Sequence, residues 1–315
     1  MLQFVTLIIV LKKADGKGKR KNNRMNGEGM KTAIVTDTNS GILKAEAEEL
    51  GVFSIPMPVI IEEDTFYEGD NITEEEFYQA LTSGKKVSTS QPAPGDVLGT
   101  WERIFAMGYD EIVHVPMSSG LSHCCETAKM LAQEYEGKVQ VADNHRISIT
   151  LKEAVLKGKR LADEGASARE IREILEADAY NCCIYIAVDT LEFLKKGGRI
   201  TPAAAMIGTV LNIKPILAIR GEKLDSFAKA RGPKKCQSRM LQALKDDMEN
   251  RFSDAEKGKI LVGMAGTALT KEQIEQNSAL LKETFPYADF YYDPLSLSIG
   301  CHTGPGALGM GIVIR

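Results

Sequence analysis

Apolar runs too short for anything but strands recur along this chain, each breaking into a polar loop and then into helical periodicity. TAIVTD (Thr32–Asp37) ends in Thr38-Asn39-Ser40-Gly41 and gives way to the apolar/acidic pattern ILKAEAEEL. EIVHVPM (Glu111–Met117) runs into SSGLS and a helical stretch, and KVQVAD (Lys138–Asp143) precedes a helix that stops at Gly165. Between them, Thr73 with Glu76 three residues on reads as a capping box, and Pro94 suits the first turn of a helix. VFSIPMPVII is read as one extended segment, because Pro56 and Pro58 forbid helix there. Repeated strand-loop-helix units predict a parallel sheet covered by helices on both faces.

The second half has a different rhythm. CCIYIAVD reads as a strand and TLEFLKK as a helix that stops at Gly197-Gly198. Thr201-Pro202 starts another helix, read as continuing to Leu211, and PILAIRGEKLDSFAKA reads as a hairpin turned at Arg220-Gly221-Glu222. A long helix, the strand KILVGMAG, a further helix and the final strands FYYDPLSL and LGMGIVIR follow. A hairpin among these strands implies a mixed sheet. The expected fold is therefore α/β with two domains. Residues 30–178 form an N-terminal parallel-sheet α/β/α domain and residues 179–315 a C-terminal α/β domain with a mixed sheet. A length of 315 residues suits two domains of roughly 150 each.

The first 29 residues stand apart. An apolar run, Phe4–Leu11, precedes seven Lys/Arg and two Asp/Glu, counted over residues 1–29. The run is about half the ~20 residues of a membrane span, and its charges follow rather than precede it, against a secretory signal. We read residues 1–29 as a leader and expect the functional chain to start at Met30 or Met25. With net charge −4 overall and a basic leader, the remaining body is acidic, which excludes a nucleic-acid partner. The six cysteines (Cys124, Cys125, Cys182, Cys183, Cys236 and Cys301) form neither a disulfide framework nor a CxxC metal spacing, and a reducing cytoplasm is the expected setting.

Three polar loops carry the candidate chemistry. Ser118-Ser119-Gly120-Leu121-Ser122 lies between a strand and a helix, where hydroxyls and free N–H groups can cradle an anion. Thr89-Ser90-Gln91-Pro92 is a second hydroxyl-rich loop, and His302-Thr303-Gly304-Pro305-Gly306 is a third. Each also reads as an ordinary cap or turn. Gly304 to Gly309 fits GxGxxG, but only six residues follow and they look like a strand, so a dinucleotide site is not expected. The four histidines, His114, His123, His145 and His302, lack metal-ligand spacing. Lys195 to Arg199 and Lys229 to Lys235 are basic patches on an acidic body, either solvated helix ends or a partner surface.

Taken in order, IVTDTNSGI, PMPVII, TSQPAPGD, SSGLS, VADNHRIS, TLEFLKKGGRI, LNIKPIL, KARGPKK and HTGPGALG resemble the bacterial DegV family over nearly all of residues 30–315. The resemblance implies a two-domain α/β fold holding one long-chain fatty acid between the domains. It further implies a non-catalytic subunit that presents the carboxylate to a separate ATP-dependent fatty acid kinase subunit, for acyl-phosphate and phospholipid synthesis. No cofactor, metal or stable membrane insertion is expected.

A head group needs donors, and Thr89, Ser90, Ser118, Ser119, Gly120, His302, Thr303 and Gly304 are the candidates. The slot candidates are Met206, Ile207, Val210, Leu211, Ile213 and Leu217, and Arg199 and Arg231 would face the kinase. Burying about fourteen methylenes at ~0.8 kcal/mol each gives roughly 11 kcal/mol gross before association costs. One departure stands out: His123, Cys124 and Cys125 follow SSGLS where the family has Gly-Thr and an aromatic residue, which would shorten or redirect the slot. A stand-alone hydrolase using Ser119 and His302, or a lipid-sensing regulatory module, are the competing readings.

Overall fold

The computed structural model describes residues 30–206 and 213–315. Strand β1 (Thr32–Asp37) is buried along its whole length. It sits inside a parallel sheet of order β2-β1-β6-β7, with β2 Phe53–Ile55, β6 Glu111–Val115 and β7 Val139–Val141. Burial on both faces explains the unbroken apolar runs. Ala33, Val35 and Ile112 face α3 (Pro94–Ala106) and α4 (Cys124–Ala132), packing with Trp101 and Ile104. Ile34, Val113 and Val115 face the other way, toward Leu151 and Val155 of α5 (Ser148–Asp163) and Ile171 and Leu175 of α6 (Ala168–Ala177).

The second sheet is mixed, of order β10-β9-β8-β13-β11-β12. Its strands are β8 (Cys182–Ala187), β9 (Ile213–Ile219), β10 (Asp225–Arg231), β11 (Ile260–Gly266), β12 (Asp289–Pro294) and β13 (Leu308–Ile314). β9 and β10 form the expected antiparallel hairpin, and only β11 and β12 pair in parallel. One face, with Val262, Met264 and Ile312, packs on α9 (Pro233–Asn250) and α10 (Lys271–Thr284). The other contributes Ile186, Leu217 and Leu261 to the cluster that holds Ile34 and Leu151. Helix α5 thus stands between the sheets and shares its core with both.

Two differences from the sequence reading bear on the site. VFSIPMPVII splits at Pro56-Met57: β2 joins the parallel sheet, while β3 (Pro58–Ile61) turns into an antiparallel sheet with β4 (Asp64–Tyr67) and β5 (Val87–Thr89). LSL after Pro294 is not strand but the start of α11 (Leu297–Thr303), capped by Ser296, whose hydroxyl accepts from the Ile299 amide. His302 therefore rides on the last turn of a helix. The helix after Thr201 covers Pro202–Ala205 (α8), and its expected extension to Leu211 falls outside the described residues. Helix α1 is Lys44–Leu50, α2 Glu74–Thr82 and α7 Glu192–Gly197. No described helix is long and apolar enough to cross a membrane.

Candidate functional site

Between the two sheets lies a cavity of about 950 Å³, its mouth included. Its floor is the second sheet. In β13, Gly309 pairs with Ala265 on one side and Ile186 on the other, and Gly311 pairs with Gly263 and Ile184. Side chains alternate faces along a strand, so Gly263, Ala265, Gly309 and Gly311 put nothing larger than a methyl on one face of two adjacent strands. Ile184, Ile186, Ile219, Leu224, Ile147 and Ile149 wall this floor.

The polar end is built by three elements. Thr89 ends β5, His302 ends α11, and Arg199 follows the glycine-rich stop of α7; all three line the cavity. The Thr89 hydroxyl and His302 Nε2 share a hydrogen bond of 2.9 Å. A Cβ at Gly197 would lie 2.9 Å from His302 Cε1, so only glycine lets α7 approach the ring this closely. Burial, then the nearby Arg199 charge, lower the His302 pKa to about 4, and the ring is neutral near pH 7. Arg199 Nε donates to the Leu121 carbonyl (3.2 Å), and its guanidinium also donates to the Gly197 carbonyl. It makes no ion pair among the described residues, although it is half-buried at an apolar cavity. Deeper in, Asn39 Oδ1 accepts from the hydroxyls of Ser296 (3.0 Å) and Ser298 (2.6 Å).

Thr89, Ser90, His302 and Thr303 all line this cavity, as does Arg199, which the resemblance had turned outward. Ser118, Ser119 and Gly120 do not. Helix α4 starts only at Cys124, so SSGLS is a turn ahead of the helix. The Ser118 hydroxyl donates to the Gly221 carbonyl at the tip of the β9–β10 hairpin, and the Ser119 amide donates to Asp143 Oδ1 (3.3 Å). A Cβ at Gly120 would sit 2.7 Å from Glu222 Cα, so the loop is pressed backbone to backbone against that hairpin. The Ser118 hydroxyl, read as part of an anion cradle, ties this loop to the hairpin of the second sheet instead, and it is Leu121 and Ser122 that reach the cavity. The Gly304 carbonyl accepts from the Thr267 hydroxyl (2.7 Å), behind the cavity wall.

None of the described slot candidates lines the cavity. Met206 is 86% exposed, because α8 ends one residue before it. Leu217 is fully buried in the core shared by the sheets, and Ile213 is half-buried at the start of β9; neither lines the cavity. Ile207, Val210 and Leu211 lie outside the described residues. Arg231 is exposed at the end of β10. His123 points to solvent while Cys124 and Cys125 are buried on separate core clusters, so the departure after SSGLS leaves the cavity lining untouched. The Ser119–His302 pair of the hydrolase reading is not formed; the partner of His302 is Thr89. No group of three or more His, Cys, Asp or Glu among the described residues is arranged to hold a metal.

The family model described as "Uncharacterised protein, DegV family" matches residues 31–315. A DegV domain-containing protein of Deinococcus radiodurans is 31% identical over 285 residues, covering 90% of this chain and 98% of that one. Another, from Staphylococcus aureus, is 30% identical over 283 residues, covering 90% and 99%. A solved DegV family protein from Thermus thermophilus, described for its fatty acid binding, is similar with a TM-score of 0.81 and 29% identity over 91% of this chain and 100% of that one. DegV from Bacillus subtilis, described as a fatty acid binding protein, is similar with a TM-score of 0.78 and 27% identity over the same shares, 91% and 100%.

Proposed function

The chain belongs to the DegV family, and on that premise we propose that its cavity binds one long-chain fatty acid and presents the carboxylate to a separate ATP-dependent kinase subunit. The observation that carries the ligand class is Arg199, a half-buried cation without an ion-pair partner among the described residues, at one end of an otherwise apolar cavity. Such a charge is stabilised by an anion, and an anion on an apolar chain matches both ends of the space. Thr89 and the neutral His302 add hydrogen-bonding groups at the same end. Because Arg199 already donates to two carbonyls, it attracts the carboxylate without a full bidentate clamp, which keeps the oxygens available for phosphoryl transfer.

In this reading the protein is a carrier rather than a catalyst and works in the cytoplasm. Residues 30–178 and 179–315 close on the ligand from two sides, and residues 1–29 precede them as a leader. Organic extraction of freshly purified protein, followed by mass spectrometry, tests the ligand. A stoichiometric long-chain fatty acid is expected; an empty extract together with no saturable binding of added fatty acid overturns the reading. For the kinase half, Arg231→Ala, on an exposed residue, is expected to leave fatty acid affinity unchanged and to lower acyl-phosphate formation by a cognate kinase. Equal loss of both activities places Arg231 in the fold or the pocket instead.

A further inference from the structure

The cavity has a second polar locus at the start of α5. This helix has sixteen residues, Ser148–Asp163, and its N-cap position is Ile147, which has no side chain to cap with. The amides of Ser148, Ile149 and Thr150 accordingly have no acceptor among the described residues; the first bond into the helix is Leu151 N to the Ile147 carbonyl. Ser148 is only 9% exposed, lines the cavity, and its hydroxyl has no hydrogen-bond partner among the described residues. Its φ is +54°, a left-handed conformation that costs a non-glycine residue about 1 kcal/mol or more. Thr150 is different: its hydroxyl is occupied by the Ile147 carbonyl at 2.8 Å.

Sheet register locates this locus. Ile149 packs on Gly263, where a Cβ would lie 2.7 Å from Ile149 Cγ2. Four residues further along β11 and its exit, Thr267 binds the carbonyl of Gly304, two residues past His302. Four residues of strand span about 13 Å. The α5 start therefore sits well along the slot from the strand exit that holds Gly304, over the glycine floor.

We infer that Ser148 and the uncapped α5 amides form a subsite for a neutral acceptor oxygen, a hydroxyl or oxo group, borne midway along the acyl chain. This rests on the fatty-acid reading above. A plain methylene chain leaves these donors buried and unpaired, which costs binding energy. An oxygen on the chain would pair with them. Without such an oxygen, a retained water is the only way to satisfy them.

The test titrates octadecanoate and 10- and 12-hydroxyoctadecanoate against the wild-type full chain and against Ser148→Gly and Ser148→Ala. Glycine accepts the left-handed φ, so Ser148→Gly removes the hydroxyl without adding strain. Wild type is expected to bind at least one hydroxy acid as tightly as octadecanoate or tighter. Both variants are expected to lose about three- to tenfold for that hydroxy acid and to leave octadecanoate within twofold. Tight octadecanoate binding with both hydroxy acids weakened tenfold, or with hydroxy-acid affinity indifferent to Ser148, overturns the subsite and leaves the fatty-acid reading standing. Failure to bind any of the three acids overturns the fatty-acid reading and the subsite with it.

Discussion

Two loops of this protein have nearly the same composition and opposite employment. Ser118–Ser122 and Thr89–Gln91 both follow short strands and both offer hydroxyls. The first meets a hairpin from the other sheet, and its Ser118 hydroxyl and Ser119 amide are spent on Gly221 and Asp143. The second meets α11, and its Thr89 hydroxyl meets His302 at the wall of a cavity. Whether a hydroxyl-rich loop holds the fold or a ligand is decided by what tertiary structure brings opposite it. The residues themselves leave both outcomes open.

Substitutions can separate the two roles. The largest effect is expected at the clamp: Gly120→Val drives a branched side chain into the backbone of Glu222 and should cost about 3 kcal/mol of stability, read by denaturant unfolding. A loss under ~0.5 kcal/mol would mean that the loop and hairpin are not locked together.

At the cavity loop the effect depends on pH. His302 has a folded pKa lowered from 6.5 to about 4, so the fold favours the neutral ring. Stability from this group is complete above the unfolded pKa and falls as pH drops from about 6.5 to about 4. His302→Gln should flatten the slope of ligand-free stability in that window by up to about 1.4 kcal/mol per pH unit. His114, lowered to about 3 by burial, keeps its own contribution in both proteins. An unchanged slope would put a charged, solvated His302 in the native state.

Ser118→Ala should cost about 1–2 kcal/mol of stability, since the Gly221 carbonyl loses its donor in a buried site, and should leave fatty acid affinity unchanged. A tenfold affinity loss at full stability would return SSGLS to the ligand. The smallest effect is expected for Thr89→Val: a three- to tenfold loss of fatty acid affinity with stability within about 0.5 kcal/mol. A stability loss larger than the affinity loss would make Thr89 a second clamp.

Much of the architecture was legible. Continuous apolar runs such as TAIVTD imply a strand covered on both faces, and the Arg220-Gly221-Glu222 turn implies the hairpin that makes the second sheet mixed. Thr89 and His302 were legible as polar loop residues, although their meeting needed the fold, being 213 positions apart. Of the apolar stretch 206–217, the described candidates Met206, Ile213 and Leu217 do not line the cavity. Apolar residues mark burial in general, and Leu217 is buried in the core. A cavity is marked by missing side chains. The signal was present in VGMAG and LGMGI, where Gly263, Ala265, Gly309 and Gly311 recur with period two, but it becomes a floor only when β11 and β13 pair in the register that sets them opposite one another. Ser298 was hidden for a local reason: reading FYYDPLSL as strand passes over the Ser296 cap that starts α11.

The position of α5 has a kinetic consequence. Prying the sheets apart would bare Leu151 and Val155 together with Ile34, Leu217 and Leu261, at about 1.5–3 kcal/mol for each side chain. Over these five side chains the cost is roughly 8–15 kcal/mol, which makes wide opening of the two sheets a rare state. With the sheets closed, exchange needs only local displacements of residues that line the cavity. In the fatty-acid reading, the rarity of wide opening would lengthen the lifetime of the loaded state.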